Sequence, residues 1–487
     1  FLLGSCSSDA PIGGAPNIPE EGDGYFLKVE FNNFKTRAEG DTKIDNVAFL
    51  FYDQDDNYIT TRYISTEEGG RTDSNIEWAP ADHSGKKCAV IQLTTTPKYV
   101  ACVVNSGSTN ITDSKNDDAT NLDKRTVSNK TKDGTDNLYM SSVTKYLGDN
   151  NSRSYKAQIT NAMIHTDKTV AQSASGAQAL VIDVEPVVAK VEVTRDGAWK
   201  ADAKAKGQFE TDLKVEFSPE IVCLTGYNSA GYTMKRLPKY SDITDDVLLA
   251  WDDLVNDNGS SGWVGETAGN ISYYSLNDMC NADKTLKDNV KYAASFNAAT
   301  FYPFENRSSA EVDKTNLVVV GKYTLKDKDN KVINNSNNGT FYLLGVGDKF
   351  TVYTDLEKLI TDMGGNPATD KLVEECGSGT DHKTWTGWMK LDKTSSAFRC
   401  IKYNGGYGYY AHKIMRIEDK GKAAIVRNTH YKLNMKEIQG MGVGLPTDDT
   451  KIIPTPSPDP SKKTYYMHIA VDVQPWVELD SYDVIWK

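Results

Sequence analysis

Apolar residues recur at every second position in several stretches, and the last of these is the most regular. In Tyr465–Lys487, Tyr465, Met467, Ile469, Val471 and Val473 share one face of a strand, with Tyr466, His468, Ala470, Asp472 and Gln474 on the other. The strand follows a tether carrying Pro454, Pro456, Pro458 and Pro460. That composition favours extended polyproline II, so about ten residues at about 3.1 Å each hold the strand roughly 30 Å from the body. Near the other end Tyr25, Leu27, Val29 and Phe31 repeat the alternation, ahead of a polar run over 33–41.

Short apolar runs predict strands over 47–52, closed by a turn at 53–57, and over 98–104, a buried strand ending at Asn105. Two more flank Pro186 within Leu180–Val193, because proline suits a bulge or a sheet switch and not a central strand. A strand over 317–323 enters a hairpin turn at 326–330 and returns over 340–344; another alternating strand covers 428–435. The polar run 106–137 reads as surface loop. Two helices are expected: the stripe Val247, Leu248, Trp251, Leu254 and Val255, and a capping box over 354–357 ahead of Leu359, Ile360 and a stop at Gly364.

At 487 residues the chain exceeds one ordinary core, so two or three domains are expected. Hydrophobic content of 39% with 26 tyrosines fits strands and polar hairpin loops, hence a mainly β protein with a few short helices. A net charge of −12 argues against nucleic acid and against basic patches for an anionic membrane. No run of 18 apolar residues predicts a membrane-spanning helix. Leu3-Gly4-Ser5-Cys6 reads as the end of a bacterial lipoprotein signal, cleaved before Cys6, which then carries the lipid; an ordinary cysteine in a loose terminus is the alternative. Membrane attachment is expected only through that lipid.

Motifs for chemistry are sparse. The six histidines show no metal-ligand spacing, and pairs such as Asp252-Asp253 and Glu374-Glu375 are expected by chance among 67 acids. Neither catalysis nor a metal or cofactor is predicted. Asp53, Asp55 and Asn57 mimic a calcium loop, but Tyr58 stands where glycine is required and Ile64 where glutamate is, so a hairpin turn is preferred. Tyr403, Tyr407, Tyr409 and Tyr410 could stack on sugars, yet the glycines between them favour a hairpin with tyrosines at cross-strand positions. Cys88, Cys102, Cys223, Cys280, Cys376 and Cys400 permit disulfides, although no CxxC occurs.

Taken together and in order, several short motifs resemble the fimbrillins of Bacteroidetes, the major fimbrial subunit or type V pilin family, over nearly the whole chain. They are the lipobox at Cys6, Thr36-Arg37-Ala38, the segment 187–191, Phe301–Asn306, Arg427–Leu433, the run Ile438–Gly444 and Val471–Trp476. The resemblance implies an exported lipoprotein of the outer membrane surface with two transthyretin-like β-sandwich domains. It implies a tether over 1–24, an N-terminal domain over 25–200, a C-terminal domain over 201–445, a Pro-rich linker over 446–463 and an arm over 464–487. It further implies an Arg-specific surface protease cutting between Arg37 and Ala38, in the loop 33–41. That cut releases the first strand, 25–32, and opens a groove that the C-terminal strand of another subunit fills.

The side-chain sets are compatible with such a swap, since Tyr25, Leu27, Val29, Phe31 and Met467, Ile469, Val471, Val473 each offer four large apolar groups at period two, with Tyr465 and Trp476 flanking the second. Burying four such groups is worth about 6–12 kcal/mol before ordering costs, and a head-to-tail contact that need not close builds filaments. The expected function is a self-polymerising fimbrial stalk subunit supporting adhesion or biofilm formation, with a host or bacterial surface as a further ligand. The competing readings are a monomeric surface lipoprotein that binds glycan and a fimbrial tip adhesin.

Overall fold

The computed structural model describes residues 24–32, 44–79, 87–107, 109–115, 120–128, 130, 137–146, 153–195, 201–202, 209, 211–236, 270–283, 285–293, 298–306, 313–346, 349–376, 385–393, 398–417, 422–423, 425–439, 441–453 and 466–475. Cys6, Arg37, Ala38, Tyr465, Trp476 and the helix expected over 247–255 lie outside these residues. The chain is mainly β, as the alternation predicts.

Two compact units form. The first comprises Phe1–Arg125, Thr131–Leu147 and Arg153–Glu185; the second comprises Thr126–Lys130, Gly148–Ser152 and Pro186–Lys487. The main crossing therefore falls at Glu185–Pro186 and not near 200. The strand after Pro186, Lys190–Arg195, takes both its partners, Ala298–Phe301 and Thr429–Gln439, from the second unit, which fixes it there.

In the first unit the main strands are β1 (Tyr25–Asn32), β2 (Asn46–Tyr52), β3 (Tyr58–Ser65), β4 (Ile76–Ala79), β5 (Cys88–Leu93), β6 (Tyr99–Val104), β7 (Met140–Ser142) and β8 (Leu180–Pro186). Among the described residues they form one sheet in the order β3-β2-β6-β7-β8-β1-β5-β4. The sheet curls so that Leu27, Val29 and Phe31 of β1 and Val47, Phe49 and Phe51 of β2 share one buried cluster, with the Phe31 and Phe49 rings 5.7 Å apart. The turn after β2 is a hairpin turn: Asp53 Oδ1 accepts from the amides of Asp55 at 2.9 Å and Asn57 at 2.8 Å, so the carboxylate is spent on its own loop. The run 106–137 is less superficial than its polarity suggests. Ile111 and Leu122 are fully buried, and the Asp113 carboxylate accepts from the Tyr52 hydroxyl at 2.9 Å and the Leu122 amide at 3.1 Å.

The second unit holds β9 (Lys190–Arg195), β10 (Lys214–Thr225), β11 (Ala298–Phe301), β12 (Asn316–Lys326), β13 (Phe341–Val346), β14 (Lys349–Tyr353), β15 (Leu372–Cys376), β16 (Trp385–Leu391), β17 (Cys400–Tyr403), β18 (Tyr407–Lys413), β19 (Thr429–Gln439) and β20 (Tyr466–Pro475). Three of its sheets carry most of the core: β11-β9-β19-β20, a sheet built on β10-β12-β18, and β14-β13-β17-β16-β15.

Two expected hairpins are instead sheet switches. After β12 the turn at 327–330 forms, but β13 does not return to β12 and joins the other sheet. The Asn334 side chain takes the place of a pairing strand: its Oδ1 accepts from Leu325 N and its Nδ2 donates to Tyr323 O, each at 3.0 Å. Likewise β17 and β18 leave the corner Asn404–Gly406 for different sheets, with Gly405 and Gly406 at φ 59° and 82°, where a side chain is strained. Tyr403, Tyr409 and Tyr410 are buried there. The expected capped helix is α2 (Leu356–Asp362), with Leu359 and Ile360 buried and Gly364 at φ 76° beyond its end. Its cap is Asp355 and not Thr354, since the Asp355 carboxylate accepts from Glu357 N at 2.9 Å.

Because β1 is central, Phe31→Ala should cost the first unit about 3–5 kcal/mol in urea unfolding. Val181→Ala on neighbouring β8, at a side chain 39% exposed, should stay within about 0.5 kcal/mol.

Candidate functional site

Both faces and both edges of β1 are occupied. It pairs antiparallel with β5, from Tyr25↔Leu93 to Glu30↔Cys88, and parallel with β8, from Val29↔Leu180 to Asn32↔Asp183. Its N-terminal part also meets Ile164–His165. Leu27, Val29 and Phe31 are completely buried and Tyr25 partly so, which places the whole predicted set on one inner face.

The opposite face carries a feature that the sequence did not single out. Lys28 and Glu30 are 5% and 6% exposed, and Lys28 Nζ lies 3.2 Å from Glu30 Oε1 while donating to Ala174 O at 2.8 Å. Ala174 closes α1 (Lys168–Ser173), whose cap Asp167 accepts from Thr169 N at 2.7 Å and Val170 N at 3.0 Å. On the first unit's β4, Glu77 accepts from Lys168 Nζ at 2.7 Å and from Gln172 at 2.8 Å, pinning the helix. A Lys and a Glu alternating with apolar residues read as a solvent face; only the helix above them makes that face interior. The two charges neutralise each other within one strand.

The C-terminal strand is not held away from the body. β20 lies antiparallel on the edge of its own unit's sheet, from Thr429↔Pro475 to Gln439↔Tyr466, with a register shift between Met435 and Glu437. Val473, Val471 and Ile469 stand opposite Tyr431, Leu433 and Met435, which are 0%, 0% and 6% exposed. Met467 pairs with Ile438 beyond the shift. An alternating strand next to an open β19 edge satisfies that edge in the isolated chain.

Two motifs far apart in sequence meet just before β19. Arg427 and Glu305 are buried, with Nε donating to Glu305 Oε2 at 2.9 Å. The Arg427 Nη1 and Nη2 donate to Thr233 O at 3.2 Å and Tyr232 O at 2.7 Å. Next to Glu305, Asn306 Nδ2 donates to Gly226 O at 2.6 Å and Asp313 O at 2.7 Å. This knot fixes where β19, and thus the seat of β20, begins. No spacing in the sequence links positions 305 and 427.

Among the described residues no three His, Cys, Asp or Glu side chains are grouped to hold a metal, and no helix is long and apolar enough to cross a membrane. Burial pushes the Cys102, Cys223 and Cys400 thiols up to about 12, which makes them inert nucleophiles.

The enclosed β1 and the edge strand β20 are both parts of a mainly β chain. Residues 402–482, which span β18, β19 and β20, match the family model described as major fimbrial subunit protein type IV, fimbrillin, C-terminal. The match is confined to this C-terminal segment of the chain. No curated protein matches the chain. Similar solved structures include a candidate cell adhesion protein of Bacteroides eggerthii, at 12% identity and TM-score 0.39, covering 95% of this chain and 98% of that one. Another from Parabacteroides distasonis has 13% identity and TM-score 0.38, covering 93% and 100%. The tip fimbrial protein of Porphyromonas gingivalis, C-terminally truncated, has 9% identity and TM-score 0.30, covering 93% and 100%. Nothing about function follows from likenesses at this level.

Replacing Arg427 by Met leaves Glu305 buried without its cation and should cost about 3–5 kcal/mol in urea unfolding, whereas Arg427→Met with Glu305→Leu should recover most of that loss. A double variant no more stable than the single one would show that the pair is not what holds this knot.

Proposed function

We propose that this chain is an extracellular fimbrial structural protein, a stalk subunit that polymerises by exchanging strands after proteolysis at Arg37-Ala38. The observation that carries the reading is the composition of β1. Its apolar face fills the core, and its buried charges are partnered with each other, so the strand can leave without stranding a charge in the body. What stays behind is a slot walled by β5 and β8, with Ala89, Ile91, Leu93, Leu180 and Ile182 around it. β20 of a second subunit is the proposed filler: it presents the same count of large apolar residues at the same period, and it sits on one edge alone in the isolated chain. The match of residues 402–482 to a fimbrial subunit module supports this use of the C-terminal strand. Partners on this reading are further copies of the subunit and an Arg-specific surface protease, with lipid on Cys6 as the only membrane link before processing.

The docked position of β20 also suits a protein that stays monomeric. The glycan form of that alternative loses its main support, because Tyr403, Tyr409 and Tyr410 are interior.

Brief treatment of the full chain with an Arg-specific protease should give a new N-terminus at Ala38 and a ladder of heat-labile oligomers on a gel. Arg37→Ala should remain monomeric under the same treatment. Deletion of residues 464–487 should leave a cleavable protein that cannot extend a chain. Polymerisation of the deletion variant, or a cut product that stays monomeric, would refute strand exchange.

A further inference from the structure

The segment Thr126–Lys130 belongs to the second unit although the chain on either side of it lies in the first. Thr126–Val127 pairs antiparallel with Gly231–Tyr232, and Lys130 follows at the end of the strap. The Lys130 side chain is only 13% exposed. Its Nζ donates to Asn289 Oδ1 at 3.2 Å and lies 3.9 Å from Asp288 Oδ2, with the Phe304 and Tyr227 rings 5.8 and 6.0 Å away. Asn289 is 6% exposed, and its Nδ2 is buried with no hydrogen-bond partner among the described residues.

Three features of this group point to chemistry. The Lys130 amine lies 3.2 Å from the oxygen of the amide whose carbon it would attack, so the two reacting groups are already neighbours. Burial pushes the Lys130 ammonium down to about 8, so a substantial share is neutral amine in mildly alkaline solution. The Asn289 amide nitrogen has no bond holding it in place, and the Asp288 carboxylate stands beside the amine with its own side chain 84% exposed, where it exchanges protons with water.

We propose that Lys130 and Asn289 form a modification site, joining as an intramolecular amide with loss of ammonia. The lone pair of neutral Lys130 Nζ attacks Asn289 Cγ, forming the new C–N bond while the carbonyl pair moves to Oδ1. Asp288 takes a proton from Nζ and passes it to Nδ2. The C–Nδ2 bond then breaks, the carbonyl re-forms and ammonia departs. Amine plus carboxamide gives secondary amide plus ammonia, so the step consumes no oxidant, cofactor or energy carrier. The product removes a buried charge and clamps the strap to the second unit by a bond that cannot peel as β-pairing can. This inference stands whether or not the chain polymerises.

Intact-mass measurement of the full chain, before and after incubation at pH 8–9, tests it. The expected result is a mass lower by one ammonia, with a branched peptide joining Lys130 to Asn289 in a protease digest. Formation should quicken as pH rises from 7 towards 9, because the neutral amine is the nucleophile, and Asp288→Asn should slow it by about 10²-fold or more. Lys130→Arg keeps the charge and the hydrogen bond but should show no mass loss. Recovery of Lys130 and Asn289 only in separate linear peptides, or an ammonia loss that persists in Lys130→Arg, as imide formation within Asn289 would give, overturns the proposal.

Discussion

The first unit depends on a strand that is enclosed on every side. β1 is hydrogen-bonded to β5 and β8, faces the core with Leu27, Val29 and Phe31, and is roofed by the end of α1 over Lys28 and Glu30. A strand in the middle of a sheet normally cannot be withdrawn without collapse. Here the neighbours hold other partners: β5 keeps β4, and β8 keeps β7. The β2-β3 hairpin and the β2-β6 ladder make no use of β1. The contacts of β1 are long-range, and Val29↔Leu180 is closed only by a distant part of the chain. Such contacts cost more closure entropy than they return until the rest has formed. The fold can therefore be organised around β1 and still treat it as a separable part.

Two buried ion pairs illustrate the difference between a separable part and an anchor. Lys28 and Glu30 sit two residues apart on one strand, and both leave when it leaves. Arg427 and Glu305 come from distant segments and recruit the Tyr232 and Thr233 carbonyls, so separating them leaves charge and carbonyls buried without partners. The first pair lies where the chain is proposed to open, the second where it must stay closed to seat β19.

Much of this was legible in the sequence because alternation is a local signal. β1, β19 and β20 lie where period two placed them, β2, β6 and β8 lie where short apolar runs did, and Pro186 marks the passage from β8 towards β9. What alternation cannot report is which strand a strand will meet. The runs before and after Asn334 look like the arms of a hairpin, and so do those around Gly405-Gly406, yet in each case one side chain or two left-handed glycines turn the chain into another sheet. Burial of Lys28 and Glu30 depends on α1, far along the chain, and the Arg427–Glu305 meeting depends on sheet topology. The C-terminal strand was legible as a strand, while its resting place was not, because an apolar alternating segment fits any open edge.

That resting place sets the starting point of the proposed strand exchange. Among the described residues β20 is paired with β19 alone, in register with Tyr431, Leu433 and Met435. In an emptied β1 slot a strand would be paired on both sides and enclosed on both faces. What the backbone pairing distinguishes is the second ladder that the slot would add. At about 0.5–1.5 kcal/mol net per hydrogen bond, a handful of added bonds is enough to favour the slot. While β1 is present the slot does not exist, and the edge of β19 is the best seat available. On the proposed exchange, moving the strand would require no activation of β20 itself, only removal of β1, and cleavage of the first strand would be its control point.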